Sequence, residues 1–283
     1  MALGTLLMTI QDATSKWLIS DYSVGEILFY RGIWAYLPIA WFVWRGGGLK
    51  LLRSRRPFAN VVRSVLNTVA GLAVISAYAY MPLATAMAIM FSSPLLVAAL
   101  SGPVLSEHVG VVRWLAVIAG FCGVLLVLNP FGGGLTWIYL LPLIAAVFIA
   151  LRDMMTRHLG AFDDPSVILF YTVTLSVITG GVWMAVFGAR WPDERGWMIF
   201  IVMGLVNGCA HYCVIKALSI AHAASVMPLR YLSLLWACII GFVVWNDVPS
   251  AVAASGMCLI VASGIAILFR ESRTKQAVSN KPR

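Results

Sequence analysis

Apolar runs follow one another along nearly the whole 283-residue chain, and each is close to bilayer length. A helix of about 20 apolar residues crosses the ~30 Å hydrocarbon core, so runs of this kind are read as membrane spans. Only 11% of the residues are charged, against about 25% in an ordinary soluble domain. Ten spans are predicted, at 2–19, 25–44, 59–80, 83–105, 111–128, 135–152, 166–187, 197–216, 223–245 and 249–269. The expected fold is an all-α polytopic membrane protein, with no soluble domain between spans. The first run has no basic leader and no cleavage site, so it is expected to remain as a span.

A net charge of +9 invites a nucleic-acid reading, but the excess is concentrated in two places. Arg45, Lys50, Arg53, Arg55 and Arg56 follow the second span, and Arg270, Arg273, Lys275, Lys281 and Arg283 close the chain. With ten spans both groups fall on one side, which the positive-inside rule makes cytoplasmic. Both termini then lie inside, as in a bacterial-type inner membrane, and the expected contacts are lipid and a small molecule. Cys122, Cys209, Cys213, Cys238 and Cys258 all stand in apolar runs without a CxxC pair and read as buried thiols.

The chain repeats itself. Ile27-Leu28-Phe29-Tyr30 returns as Ile168-Leu169-Phe170-Tyr171. At the same spacing Asp12, Lys16 and Leu18 meet Asp153, Arg157 and Leu159, and Gly123 meets Gly264. Asn67 meets Asn207 one residue out of step. The unit contains five spans. Five is odd, so the second copy runs through the membrane upside down. The expected organisation is a first five-helix repeat at 1–128, an inverted second repeat at 135–269, and a basic tail at 270–283. Inverted repeats are common in secondary transporters, whose substrates bind near midplane at interrupted helices.

One such interruption is legible. The uncharged run from Leu83 to Leu105 holds Ser92, Ser93 and Pro94 in its middle. Proline has no N–H and clashes with the preceding turn, so this helix must kink or break. The serine hydroxyls can bond the freed backbone groups. Pro228 interrupts the ninth span, with Arg230 just after it.

These features resemble the drug/metabolite transporter superfamily, and within it the EamA-type exporters. Lys16-Trp17 matches the basic residue that ends the first span there. Ile27-Leu28-Phe29-Tyr30-Arg31 matches the arginine after an apolar stretch. Pro94 and Glu107 match the fourth span's proline and closing acid, and Gly120 and Gly123 match the glycines of the fifth. The resemblance covers essentially the whole chain. It implies export of small neutral or aromatic metabolites, amino acids foremost.

Polar residues deep in spans are the candidates for function. If antiparallel spans 1 and 2 are neighbours, Asp12 and Arg31 meet at similar depth, as a packing pair or as coupling charges. Gln11 adjoins Asp12. Asn207 and His211 share a face of span 8. His211 suits a substrate hydrogen bond, a carboxylate or a coupling proton, or a structural bond to a neighbouring helix. Arg230 suits a substrate carboxylate, an acidic partner or inward snorkelling. Asn67, Tyr78, Ser92, Ser93, Pro94 and Phe148 complete the expected lining. Lys16 is expected to snorkel toward the interface, and Trp17, Trp44, Trp114, Trp137, Trp197 and Trp245 are expected to anchor span ends. Cys209, His211 and Cys213 do not share a face, so no metal site is expected, and no cofactor. No HExxH, Walker A or nucleophile-elbow motif is present. A membrane-embedded enzyme or lipid-handling protein is the alternative, and a channel is disfavoured by the lack of a ring of matching groups.

Overall fold

The computed structural model describes residues 2–46, 48, 52–105, 111–128, 137–160, 162–220 and 227–279. The described residues contain helices and no strand. In chain order they are α1 (Ala2–Leu18), α2 (Val24–Arg45), α3 (Pro57–Tyr78), α4 (Leu83–Met90), α5 (Ser93–Leu105) and α6 (Val111–Leu128). A 3₁₀ turn, Trp137–Tyr139, leads into α7 (Leu140–Leu159), followed by α8 (Pro165–Phe187) and α9 (Glu194–Ile220). A second 3₁₀ turn, Met227–Tyr231, leads into α10 (Leu232–Trp245), and α11 (Ala251–Ser279) ends the fold. With α4 and α5 counted as one interrupted span, these are the ten expected spans. The tenth helix continues well past residue 269, so much of the expected tail is helical. Glu107 lies outside the described residues.

The helix starts follow local chemistry. Ser23 caps α2 in a full capping box, its hydroxyl accepting from the Glu26 N–H while the Glu26 carboxylate accepts from the Ser23 N–H. Asp164 caps α8 by accepting from the Ser166 N–H, with Pro165 in the first helical position. Ser23 and Asp164 are equivalent positions of the repeat.

Packing follows the same relation. The helix α1 lies on α9 and α7 lies on α3, a pair of contacts that the repeat exchanges. The contacts α2 on α8 and α6 on α11 each map onto themselves. At the last of these two glycines let the backbones meet, since a Cβ on Gly123 would sit 2.8 Å from the Gly256 carbonyl oxygen.

Two polar bridges repeat the pattern. Asn207 Nδ2 of α9 donates to Gln11 Oε1 of α1 at 2.6 Å. Arg152 Nη1 of α7 donates to Asn67 Oδ1 of α3 at 3.1 Å. The four residues are two equivalent pairs, Gln11 with Arg152 and Asn67 with Asn207. The links are tied in the same crossed way. At one face Glu26 accepts from the Arg190 N–H, and the Tyr30 hydroxyl donates to the Arg190 carbonyl. At the other face Asp163 accepts from the Ser54 hydroxyl at 2.7 Å, the Arg55 N–H at 2.8 Å and Asn60 Nδ2 at 2.6 Å.

Lys16 corrects the expectation of snorkelling. Its ammonium donates to Asp247 Oδ2 and to the Met81 carbonyl, both at 3.2 Å, and lies over the Trp245 ring. A carboxylate, a carbonyl and a ring together hold the cation better than the interface does, and Trp245 serves there as its platform. Trp197 also turns inward, packing edge-on to Tyr30 and Trp34.

Burial opposes ionisation of Asp163, but its hydrogen bonds from Ser54, Arg55, Asn60 and Arg56 outweigh burial and hold its carboxyl below the usual range. Its stabilising contribution is therefore complete above the unfolded value of about 4 and is lost as pH falls through the lower folded value. Asp163→Asn is expected to lower stability at neutral pH by about 1.5–3 kcal/mol, and to flatten the loss below about pH 4. Thermal unfolding in detergent across pH checks both. Arg152→Met, which leaves Asp153 one cation short, is expected to cost about 3 kcal/mol or more. A double-mutant cycle of Gln11→Leu and Asn207→Leu is expected to give a coupling of about 0.5–1.5 kcal/mol.

Candidate functional site

The fourth span breaks where proline predicts. The helix α4 ends at Met90, the Ser92 N–H turns back to the Ile89 carbonyl, and α5 begins at Ser93. Pro94 thus falls in the first turn of α5, where a missing N–H costs nothing. The serines do not play the expected part, because neither hydroxyl bonds the backbone among the described residues. Ser92 Oγ is sealed from solvent without a partner. Ser93 turns the other way, into a cavity of about 190 Å³ between the two halves.

Backbone that is not α-helical borders this cavity on both sides. Phe91, Ser93 and Pro94 line it from the first break. Arg230, in the 3₁₀ turn that starts the ninth span, and Ser233 line it from the second. The spans α1, α2, α3, α7, α8 and α9 complete the wall, so each half contributes. Gln11, Asp12, Arg31, Asn67, Tyr78, Asn207 and His211 all line the cavity. Ser92 and Phe148 do not line it. The helix α7 meets the cavity through Ile149 and Arg152 instead, so the expected lining face of this helix is wrong by one residue at Phe148.

Asp12 and Arg31 face each other without closing an ion pair. Asp12 accepts instead from Gln11 Nε2 at 3.2 Å. Tyr78, 2% exposed, turns its hydroxyl toward the same two charges. The opposite wall is different. Asp153, the repeat counterpart of Asp12, is clamped by Arg152 Nη2 at 2.7 Å and by Arg230 Nη1 at 3.0 Å. Of the readings of Arg230, the acidic partner is present. Arg63 lies behind this cluster, 4% exposed, donating to the Thr156 hydroxyl at 2.9 Å and to the Thr172 hydroxyl.

Arg63, Arg152 and Asp153 were not among the expected site residues. The signal for two of them was the repeat, which sets Arg152-Asp153 on Gln11-Asp12. Arg63 carried none, since an arginine two turns into a span reads as interfacial until its partners are known. Among the described residues no group of three histidine, cysteine or acidic side chains could hold a metal ion. The lining offers charge, hydrogen bonding and apolar contact. Met8, Met87, Met90 and Phe91 supply the adaptable apolar surface.

The model of the EamA-like transporter family matches residues 1–129 and again 136–269. The chain is 27% identical over 279 residues to a riboflavin transporter of Rhizobium johnstonii, covering 98% of this chain and 92% of that one. It is 25% identical to an S-adenosylmethionine uptake transporter of Rickettsia prowazekii, covering 99% and 93%. It is 27% identical to the pseudopaline exporter CntI of Pseudomonas aeruginosa, covering 97% and 95%. A protein of known crystal structure, 19% identical, has the same fold with a TM-score of 0.65 over 96% of both chains. These relatives are small-molecule transporters, which sets the enzyme reading aside. The family model matches both halves, and the chain belongs to the EamA-like transporter family.

Proposed function

We propose that the protein exports small neutral or aromatic metabolites, amino acids foremost, through the cavity between its halves by alternating access. The observation that carries this reading is the open Asp12–Arg31 pair in the cavity wall. A zwitterion offers an ammonium group for the carboxylate and a carboxylate for the guanidinium. The methionines and Phe91 accept its apolar body. The named substrates of the relatives differ from one another and include both uptake and export. They support a small-molecule carrier and leave the substrate to this chain's own cavity.

The mechanism follows from the ties. Lys16, Asp247 and the Met81 carbonyl join the end of α1 to two links at one face, and this lock must break before the cavity opens there. The positive-inside rule makes that face the external one, with both termini in the cytoplasm of an inner membrane. Asp12 and His211 are the lining groups suited to carry a coupling proton, and so short a supply favours facilitated flow down the gradient, outward when the internal pool is higher. The residues 83–105 and 227–245 bend most easily at their breaks, which suits them to gate a cavity that they line.

Counterflow in liposomes holding the purified protein tests the substrate class. At least one neutral or aromatic amino acid is expected to exchange above protein-free liposomes, with riboflavin and S-adenosylmethionine run alongside. If no amino acid moves above background, the substrate claim fails. Ser93→Ala and His211→Ala are each expected to slow exchange about five- to tenfold, the loss of one hydrogen bond. Ser92→Ala, outside the lining, is expected to leave the rate unchanged and the fold as stable or more so, because it removes a buried hydroxyl that has no partner. Wild-type rates in both Ser93→Ala and His211→Ala would reject the cavity assignment.

A further inference from the structure

Formal charge does not balance around the cavity. Arg31, Arg152 and Arg230 line it, and Arg63 stands one hydrogen bond behind at Thr172. Against these four cations stand two carboxylates, Asp12 and Asp153. Asp153 is already shared by Arg152 and Arg230. Asp12 accepts from Gln11 and leaves Arg31 facing it across a gap. Among the described residues Arg31 makes no hydrogen bond and no ion pair, although it carries five N–H donors. Arg230 uses only one of its terminal nitrogens on Asp153. Uncompensated charge in a membrane interior is costly and marks a place where a partner is expected.

We infer that the cavity takes a small organic anion, a metabolite with at least one more carboxylate than it has ammonium groups, gripped by Arg31 and steered by the guanidinium excess of the opposite wall. This inference rests on the reading of the cavity as a small-molecule transport site and moves its preferred ligand from the zwitterion to the anion. A zwitterion satisfies Asp12 and Arg31 in turn and leaves the excess of two positive charges as it was. An anion reduces that excess, and guanidinium binds a carboxylate through two parallel hydrogen bonds, which adds direction to the attraction. A cation would meet three lining guanidinium groups and one free carboxylate. Among amino-acid-like metabolites, acidic and N-acylated ones fit better than their parents.

The test uses the full chain in detergent and three probes of one skeleton: N-acetylphenylalanine (anion), phenylalanine (zwitterion) and phenylalanine amide (cation). Binding is read by tryptophan fluorescence and by thermal shift. N-acetylphenylalanine is expected to bind about tenfold or more tighter than the amide, with phenylalanine between. Arg31→Gln is expected to shrink that preference to about twofold, and Arg31→Lys to retain part of it. Arg230→Gln, which leaves Asp153 its Arg152 contact, is a second variant should Arg31→Gln not fold, and is expected to weaken the preference as well. Equal or tighter binding of the amide, no binding of the anion, or a preference unchanged in both arginine variants would overturn the inference. Counterflow of the bound anion is scored separately. An anion that binds without exchanging would defeat the transport reading and leave the anion site standing.

Discussion

Hydrocarbon supplies no hydrogen bonds, so a helix can be interrupted in a membrane only where protein or a cavity receives its backbone. The fourth and ninth spans obey this constraint. Pro94 stands at the break of the fourth span, Pro228 stands in the 3₁₀ turn where the described part of the ninth begins, and one cavity lies against both. The position of the cavity is thus a consequence of where the chain cannot remain helical. The remaining spans surround that weakness, and several of their polar residues face it.

Inversion adds a second constraint. A five-span unit packed on its inverted copy must make each unlike contact twice, and the contacts α1–α9 and α7–α3 are such a pair. The bridges Gln11–Asn207 and Arg152–Asn67 are the same bridge in the two copies, and only one side of it has become charged. That divergence gives the cavity its two unlike walls. One is a clamped carboxylate between two arginines; the other is a carboxylate and an arginine left apart. Symmetry supplied the positions, and substitution at a few of them supplied the chemistry.

The faces show a comparable division. Asp163 joins two links at one face through three short hydrogen bonds. Lys16 joins two links at the other through an ion pair and a carbonyl, with Trp245 beneath it. The Lys16 face carries a second tie, in which the buried Glu26 accepts from the Arg190 N–H.

Much of this was written in local sequence. Span length and the scarcity of charge determined a helical membrane protein. The fourfold match at Ile27–Tyr30 and Ile168–Tyr171, with an odd number of spans, determined inversion, and Pro94 determined the break. These are properties of a residue and its near neighbours, or of period, and no packing is needed to read them. Tertiary structure alone decided which serine faces the cavity, that Phe148 turns away while Arg152 turns in, and that Lys16 finds Asp247 rather than the interface. It also decided that Arg230 closes on Asp153 while Arg31 closes on nothing among the described residues. Each of these depends on helix rotation and on a partner far along the chain. A charge in a span announces that it must be compensated, but only the fold determines by what.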